Sequence, residues 1–523
     1  MRCLMIVAVL CITSTCGADA PWVADISSVS DVSVTPEGGS DGIVIWLPSG
    51  ERATVGVYGG TETIEVDAPP EVATQVLVQF VWERRVFYKE PGEHVAHIPY
   101  WLPSRRWRPP GSETGGPYAL QLHATAVGDY RVKITCTYGE VLTVDLHVVE
   151  PVPDPDMGFG YYTVPPFWSY MEFRKYFEQM ASERCNTFTL YSSHPFPCPI
   201  TDDPSATDPT KQTVRAQNIA WQMDLAVETG LTDGRAPVFQ FVHWPADMDE
   251  AYEYGRYTDQ WPELLGYGRD EPPCTDQGEW EARGMVEMFN NGGYRSGSAM
   301  SDKNIYRIGD GIDIWICHMQ DYNDTIKREA ARQGKELWVY SCHMRGTNAP
   351  MNRYWSGWWA FANRPAVMLN WGYMDNMLAY GLDEPSSVQP DGRWTPCGYY
   401  EYHLGAPDGP ISSVGAEARR DGIVDYMVLR ELERSMLAAR VNEPEDFEYY
   451  LLIGEVGTWL QTNVDRVDTQ LWPGNQVPWT GPDGVPMHWD GLDLLVPPIT
   501  DFNTLRRQAI KYTQRLQAGP RSD

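Results

Sequence analysis

Alternation of apolar and polar residues marks the chain between residues 19 and 150. The alternating runs are short, turn residues such as Gly59-Gly60 and Gly128-Asp129 separate them, and no helical period interrupts them. A side-chain period of two is typical of strands with one buried face, so the pattern predicts an antiparallel all-β sandwich. The predicted strands are 43–46, 53–58, 63–66, 75–82, 118–126, 130–138 and 141–149.

The pattern changes after the stiff, proline-rich segment 150–156, which suits a domain boundary. Beyond it, apolar runs of strand length alternate with stretches of helical period. About eight such units favour a (β/α)8 TIM-type barrel. An open doubly wound sheet is the alternative, but the glycine-rich phosphate turn expected after its first strand is absent from this sequence. The predicted strands are 158–162, 187–191, 238–242, 264–267, 312–317, 337–341 and 367–370, and the predicted helices are 171–184, 214–229, 279–289, 323–333 and 416–439.

The start of the chain has the pattern of an export signal. Met1-Arg2-Cys3 precedes an apolar run at 4–12, and small residues follow at 16–18. The apolar run is too short to span a bilayer, so a secreted or periplasmic protein is expected. Lipid attachment at Cys16 is the less favoured alternative, because Thr13-Ser14-Thr15 makes a poor acylation motif. The predicted division is 1–18 signal peptide, 19–150 β-sandwich, 151–440 (β/α)8 catalytic barrel and 441–523 C-terminal helical and loop cap.

Composition narrows the classes of partner. A formal net charge of −30 without long basic runs disfavours nucleic acid and anionic membranes, because both carry the same sign of charge. No stretch approaches the roughly 20 apolar residues of a membrane span. The chain has 21 Trp and 29 Tyr, and although most of them are expected in the core, some can act as flat platforms for sugar rings.

Two adjacent acids, Asp270 and Glu271, follow the apolar run 264–267 and precede Pro272-Pro273. In a (β/α)8 barrel the active site collects at the carboxyl ends of the strands, where these acids are expected. Successive side chains of a strand point to opposite faces, so two neighbouring acids share a pocket only where the strand has ended, and the prolines supply that ending. The alternative is a solvated turn or a structural pair with Arg269.

The adjacency of these acids also bears on mechanism. Ordinary glycosidases place two carboxylates on opposite sides of the glycosidic bond, about 5–9 Å apart, whereas neighbouring acids approach from one side. A one-sided approach fits substrate-assisted catalysis, in which the acetamido oxygen of the sugar attacks its own anomeric carbon. Glu271 is then the general acid and base, and Asp270 orients the acetamido N–H. A second copy, Asp383-Glu384-Pro385, lies in a loop-like stretch and ranks lower.

Other side chains at predicted strand ends are candidates for substrate binding. Cys317-His318 and Cys342-His343 end two strands, but adjacent residues face opposite ways, so a four-ligand zinc site is disfavoured and no metal is predicted. A Cys317–Cys342 disulfide or two sugar-contacting histidines fit better. The aromatic candidates, each nearly as well explained by packing, are Trp244, Tyr267, Tyr340 and Trp371.

Four segments carry a family resemblance: 267–272 (YGRDEP), 312–315, 334–340 and 417–426 (EARRDGIVDY). In their order and spacing, residues 161–432 resemble the catalytic domain of glycoside hydrolase family 123, the exo-acting β-N-acetylgalactosaminidases. The resemblance implies a β-sandwich before a (β/α)8 barrel, retention of configuration by neighbouring-group participation, and the roles given above to Asp270 and Glu271. The chain departs from the family in having Gly415 where an arginine is expected.

The sequence therefore predicts a secreted glycoside hydrolase of carbohydrate metabolism. It is expected to release terminal β-linked N-acetylhexosamine, N-acetylgalactosamine by preference, through a retaining oxazolinium mechanism that needs no cofactor. A glycan is the expected partner. Two alternatives stay open: a catalytically inactive glycan-binding or surface protein on the same scaffold, and a glycosidase acting on sugars without an acetamido group.

Overall fold

The structure is a computed structural model. It describes residues 21–25, 41–58, 63–87, 93–103, 118–163, 170–190, 209–231, 238–240, 245–268, 271–341, 349–371, 403–404, 410–441, 446–468, 479–480, 486–487 and 497–519. The expected signal segment 1–18 and the second Asp-Glu-Pro copy at 383–385 lie outside these residues. None of the described helices is both long and apolar enough to cross a bilayer.

Nine strands build two sheets in the N-terminal region. They are β1 (Trp22–Asp25), β2 (Gly42–Pro48), β3 (Arg52–Tyr58), β4 (Ile64–Asp67), β5 (Val72–Phe87), β6 (Glu93–Pro103), β7 (Tyr118–Ala124), β8 (Gly128–Cys136) and β9 (Val141–Val149). One sheet has the order β1-β3-β7-β5-β6 and the other the order β2-β9-β8-β4. Side chains of both sheets, such as Val55, Leu120, Ile134 and Leu146, are fully buried in one hydrophobic cluster.

All seven strands that the alternation predicted are present. Two further strands were missed, and the direction of one strand pair was predicted wrongly. The expected sandwich was antiparallel, whereas β2 and β9 pair in parallel, with Ile43 opposite Val144. Pairing direction depends on how the chain crosses between sheets, which local alternation does not encode. The two missed strands are β1 and β6.

Eight parallel strands follow and pair in chain order, and the first also pairs with the last, so the sheet is closed. The strands are β10 (Gly158–Thr163), β11 (Thr189–Leu190), β12 (Val238–Gln240), β13 (Leu264–Tyr267), β14 (Ser296–Met300), β15 (Ile314–His318), β16 (Glu336–Ser341) and β17 (Val367–Trp371). The predicted parallel α/β region is thus present. The strand β14 was not predicted, because its sequence SGSAM lacks a long apolar run.

Each of the helices α1 to α6 lies between two successive strands of this sheet. Helices α7 and α8 both lie between β16 and β17. They are α1 (Tyr170–Ser182), α2 (Pro209–Thr229), α3 (Pro245–Tyr254), α4 (Asp276–Asn291), α5 (Asp302–Ile308), α6 (Asp324–Gln333), α7 (Ala349–Tyr354) and α8 (Ala360–Asn363), the last two joined by a π-helical turn at Trp355–Trp359. The short helices α3, α5, α7 and α8 were not predicted.

Side chains of the barrel strands alternate between the interior and the helix layer. In β15, Ile314 and Ile316 join the interior cluster, whereas Trp315 and Cys317 pack among residues of α4, α5 and α6. Cys317 is a free, buried thiol, so the disulfide suggested between Cys317 and Cys342 is not formed. Its outward direction confirms that a strand-end cysteine and the histidine after it do not face the same side.

Three longer helices complete the described chain: α9 (Val414–Val441), α10 (Phe447–Val464) and α11 (Phe502–Gln517). Two small hairpins pair β18 (His403–Leu404) with β19 (Ile411–Ser412) and β20 (Trp479–Thr480) with β21 (Pro486–Met487). Residues 414–429 of α9 are buried throughout. A helix that is buried on all sides lies between other layers, and α9 contacts both the barrel helix α7 and the β-sandwich.

A buried ionic network joins α9 to its neighbours. The Arg353 guanidinium on α7 donates to Asp425 of α9 at 2.6 and 3.1 Å and to Asp25 of β1 at 2.8 Å. Arg506 of α11 also donates to Asp425, and Arg420 donates to the backbone of Ser182 at 3.2 Å and to Glu51 of the β-sandwich at 3.1 Å. The charged residues of the RRDGIVD segment therefore hold α9 against its neighbours.

Candidate active site

The candidate site lies where β13 ends. Glu271 follows this strand by four residues, and its backbone N–H donates to the Ala299 carbonyl of the neighbouring strand β14 at 3.0 Å. The adjacent Gly268 N–H bonds to the Gly297 carbonyl at 2.7 Å, so the chain stays attached to β14 after the strand has ended. This attachment holds the Glu271 backbone at the carboxyl end of the parallel sheet, where active sites of such barrels collect.

The backbone of Glu271 has a conformation unusual for its residue type. Its φ is +39°, a region that L-residues other than glycine, asparagine and aspartate seldom occupy. Such a conformation costs on the order of 1–3 kcal/mol and persists only where the surroundings hold it, and functional sites are enriched in it.

Residues of α5 and the start of α4 hold the segment after Glu271. The Asn304 side chain donates to the Pro272 carbonyl and accepts from the Cys274 thiol at 3.0 Å. Arg307 donates to the Cys274 carbonyl at 3.1 Å, and Thr275 caps α4 by accepting from the Gly278 N–H at 3.1 Å. The sequence reasoning missed Asn304 and Arg307, because helix α5 was not predicted.

The Glu271 carboxylate reaches across the mouth of the barrel. Its Oε1 atom accepts a hydrogen bond from the phenol of Tyr340, which lies in β16. Two strands, β14 and β15, lie between β13 and β16, so the contact joins the acid to a distant strand rather than to a neighbouring one. The structure thus brings together Glu271 and Tyr340, two residues that the sequence selected independently.

Aromatic side chains line the interior below this contact. Tyr162, Tyr267 and Tyr340 come from three different strands and are nearly fully buried. The Tyr162 and Tyr340 rings meet edge to face with their centroids 5.9 Å apart, and the Tyr162 and Tyr267 hydroxyls are 3.5 Å apart. Tyr267 Oη also accepts from the Ala299 N–H at 3.2 Å. Tyr267 thereby supports the same β14 residue that holds Glu271, and Tyr162 is a site residue that the sequence reasoning missed.

His318, at the end of β15, lies beside Tyr340. The two rings meet edge to face with centroids 5.0 Å apart, and His318 is 7% exposed. Burial lowers the pKa of His318 to about 4, so its imidazole is neutral near pH 7. A neutral imidazole can donate one hydrogen bond and accept another, which suits the hydroxyl groups of a ligand.

Several sequence candidates are not tested by this geometry. Asp270, Trp244 and His343 lie outside the described residues, and only the backbone of Trp371 is described, opposite Tyr162 in β10. Among the described residues, no group of three or more His, Cys, Asp or Glu side chains could hold a metal ion.

One further carboxylate lies at a neighbouring strand end. Asp321 lies three residues after β15, at the end of the 3-10 turn Met319–Asp321, and is partly buried. Burial and the charge of nearby Asp302 raise its pKa above the usual range of an aspartate. The sequence reasoning missed Asp321, because nothing in the pattern around it distinguishes it from a helix-capping aspartate.

No protein-family model and no curated protein matches this chain. Solved structures show a loose similarity at low identity. A family 39 glycoside hydrolase from the gut symbiont Bacteroides cellulosilyticus WH2 is 11% identical, with 73% of this chain and 82% of that chain covered and a TM-score of 0.34. The β-glucuronidase of Ruminococcus gnavus is 12% identical over 71% and 65%, with a TM-score of 0.32. A Bacteroides ovatus GH5 xyloglucanase is 10% identical over 73% and 98%, with a TM-score of 0.27. Similarity this loose supports no conclusion about activity, and membership of family 123 stays a prediction.

Proposed function

We propose that this protein is a glycoside hydrolase that releases terminal β-linked N-acetylhexosamine, N-acetylgalactosamine by preference, with Glu271 as its general acid and base. The observation that carries the proposal is the contact between Glu271 and the Tyr340 phenol at the carboxyl end of the closed parallel sheet. The strained backbone of Glu271 and the tyrosine-lined interior below it support the same site.

The proposed reaction uses the substrate's own acetamido group as the nucleophile. Glu271 donates its proton to the glycosidic oxygen, the bond from that oxygen to the anomeric carbon breaks, and the acetamido oxygen bonds to the anomeric carbon to give an oxazolinium. Glu271 then takes a proton from water as the water oxygen attacks the anomeric carbon and the ring opens. Two displacements at one carbon retain its configuration. Asp270 is proposed, from its position in the sequence, to orient the acetamido N–H.

The neighbouring side chains are assigned to orientation and binding. The Tyr340 hydroxyl holds the Glu271 carboxylate in one orientation by its hydrogen bond. Tyr340 and the neutral His318, at strand ends beside Glu271, are assigned to hydrogen bonds with a saccharide, and the buried Tyr267 is assigned to support of the site. We further propose that the closed sheet is a (β/α)8 catalytic barrel and that the protein is exported by its N-terminal signal segment.

Glu271→Gln tests the proposal most directly. Turnover of aryl β-N-acetylgalactosaminide and aryl β-N-acetylglucosaminide should fall to background, because the amide can neither donate an acidic proton nor take one from water. Glu287→Gln, an exposed position on α4, is the matched control and should keep full activity. Full activity in the Glu271 variant would show that the site is assigned to the wrong residue.

Further measurements separate the alternatives. A thiazoline inhibitor should block the substrate-assisted reaction, whereas an enzyme for sugars without the acetamido group should resist it and need a second carboxylate. Asp321→Asn probes that second carboxylate and should leave measurable turnover under the proposed mechanism. Glycan-array binding without any hydrolysis would favour an inactive glycan-binding protein instead.

A further inference from the structure

A cavity, which we call the arginine cleft, lies between the β-sandwich and the barrel. It encloses about 440 Å³, and its walls include Arg52 and Gln121 of the sandwich, Arg184 at the end of α1, and Arg420 of α9. Ligand pockets in proteins typically measure roughly 300–1,000 Å³, so the cleft has the size of a small-molecule site.

The charge of the lining is opposite to that of the protein. Three guanidinium groups line the arginine cleft, and none of the described lining residues is an aspartate or glutamate. The whole chain carries a formal charge of −30. A cavity wall with one sign of charge concentrates ions of the other sign, so this cleft attracts anions although the protein as a whole repels them.

Buried carboxylates outside the lining hold the arginines in place. Arg52 donates to Glu417 at 2.9 and 3.0 Å, Arg420 donates to Glu51 at 3.1 Å, and Arg184 also donates to Glu51. Two buried carboxylates thus pair with three guanidinium groups. The further partner of Arg184, Asp154, is 57% exposed and therefore screened by solvent.

The crowding of like charges in the cleft is visible in Arg420. Its pKa is lowered to about 10, first by burial and next by the charge of Arg52. The neighbouring Asp421 lies 3.8 Å from Arg420, but burial raises the pKa of Asp421 to about 7 and weakens its compensation. The guanidinium groups therefore line the cleft, whereas the carboxylates that balance their charge lie outside its lining.

The position of Arg184 is a second, independent feature. It follows the C-terminus of α1 with φ +63°, a helix-ending conformation that glycine adopts most readily. An arginine in this conformation raises the backbone free energy where a glycine would not, and the Arg184 guanidinium lies at the cleft wall.

We propose that the arginine cleft binds an oxyanion group of sulfate or carboxylate chemistry, either as a free ion or as a substituent on a sugar. Arg52 and Arg184 supply charge and donors, since guanidinium groups suit planar and tetrahedral oxyanions. The exposed Thr74 and Gln75 of β5 add neutral polar groups to the wall. This site is separate from the Glu271 site and does not depend on the proposed hydrolysis.

Isothermal titration calorimetry of the full chain with inorganic sulfate tests the proposal, with sodium chloride at equal ionic strength as the reference. Galactose 6-sulfate and galactose form the second arm. Saturable binding is expected for inorganic sulfate in the first arm and for galactose 6-sulfate in the second. Binding of galactose 6-sulfate more tightly than sulfate would identify a sugar substituent as the ligand, and the reverse order would identify a free ion.

Three variants locate the binding. Arg184→Gly removes a guanidinium while relieving the φ +63° backbone and should weaken sulfate binding by about tenfold or more. Gln75→Glu places a carboxylate in the wall at an exposed position, so it should weaken binding without disturbing the fold. Arg131→Gln, in an exposed pair away from the lining, is the control and should bind as the wild type does. The proposal is overturned if the wild type binds neither anion, or if both cleft variants bind like the control.

Discussion

Removal of the buried Arg353 side chain should destabilise the fold strongly. Its side chain is 1% exposed, and its three nitrogens donate to Asp425 and Asp25 and to the Asn503 amide oxygen at 3.1 Å. The guanidinium also lies over the Phe502 ring, 4.9 Å from its centroid. Through these contacts it joins β1, α7, α9 and α11.

Arg353→Met keeps most of the side-chain volume and removes the charge. Asp425 is then left with Arg506 alone, and the buried Asp25 loses its guanidinium partner. Removing one partner of a buried ion pair typically costs about 3–5 kcal/mol, because the remaining charge is desolvated without compensation. That cost is a large part of the roughly 5–15 kcal/mol that stabilises an ordinary domain.

Urea denaturation followed by tryptophan fluorescence measures this cost as a lower transition midpoint. Arg131→Met, in an exposed pair with Asp145, is the matched control and should leave the transition midpoint nearly unchanged, because solvent screens that pair. In a double-mutant cycle with Asp25→Asn, the double variant should be less destabilised than the sum of the two single variants, because the uncompensated charge is gone. A cost equal to that of the control, or additive single effects, would refute the role given to Arg353.

Three further predictions follow from particular contacts. Gly422→Ala should cost about 1–3 kcal/mol in thermal or urea unfolding, because its Cβ would lie 2.5 Å from the Arg353 carbonyl where α7 and α9 cross, whereas Gly454→Ala, with open space around it, should not. The Asp421→Asn variant should become more stable relative to the wild type as pH rises from 4 to 8. Burial raises the folded pKa of Asp421 to about 7, so ionisation of Asp421 above pH 4 favours the unfolded chain of the wild type. A difference in unfolding free energy between the two proteins that stays constant with pH would contradict this. Tyr340→Phe should lower kcat on the aryl N-acetylhexosaminide by about tenfold or more, because it removes the hydrogen bond that orients Glu271, and Tyr138→Phe, at an exposed position, should leave kcat unchanged.

The local pattern located most of the regular structure and selected Glu271, Tyr267, Tyr340 and His318 of the candidate site. Period-two alternation found seven strands of the sandwich, because each has one buried face. The run Leu264–Tyr267 followed by acids and prolines located Glu271, because an apolar strand that ends at a break exposes its next residues at the edge of the sheet. Both features are properties of a few consecutive residues.

Only the tertiary structure decided which side chains meet. Tyr340 is 69 residues from Glu271, and its phenol contacts the carboxylate only because the sheet closes. Helix α5, with Asn304 supporting Pro272, and strand β14, with Ala299 holding Glu271, have weak local patterns and are stabilised by burial against neighbours. The parallel pairing of β2 with β9 and the cleft between Arg52 and Arg184 likewise depend on contacts between distant segments. Sequence periodicity reports which face of an element is buried, whereas its partner is set by packing and charge in three dimensions.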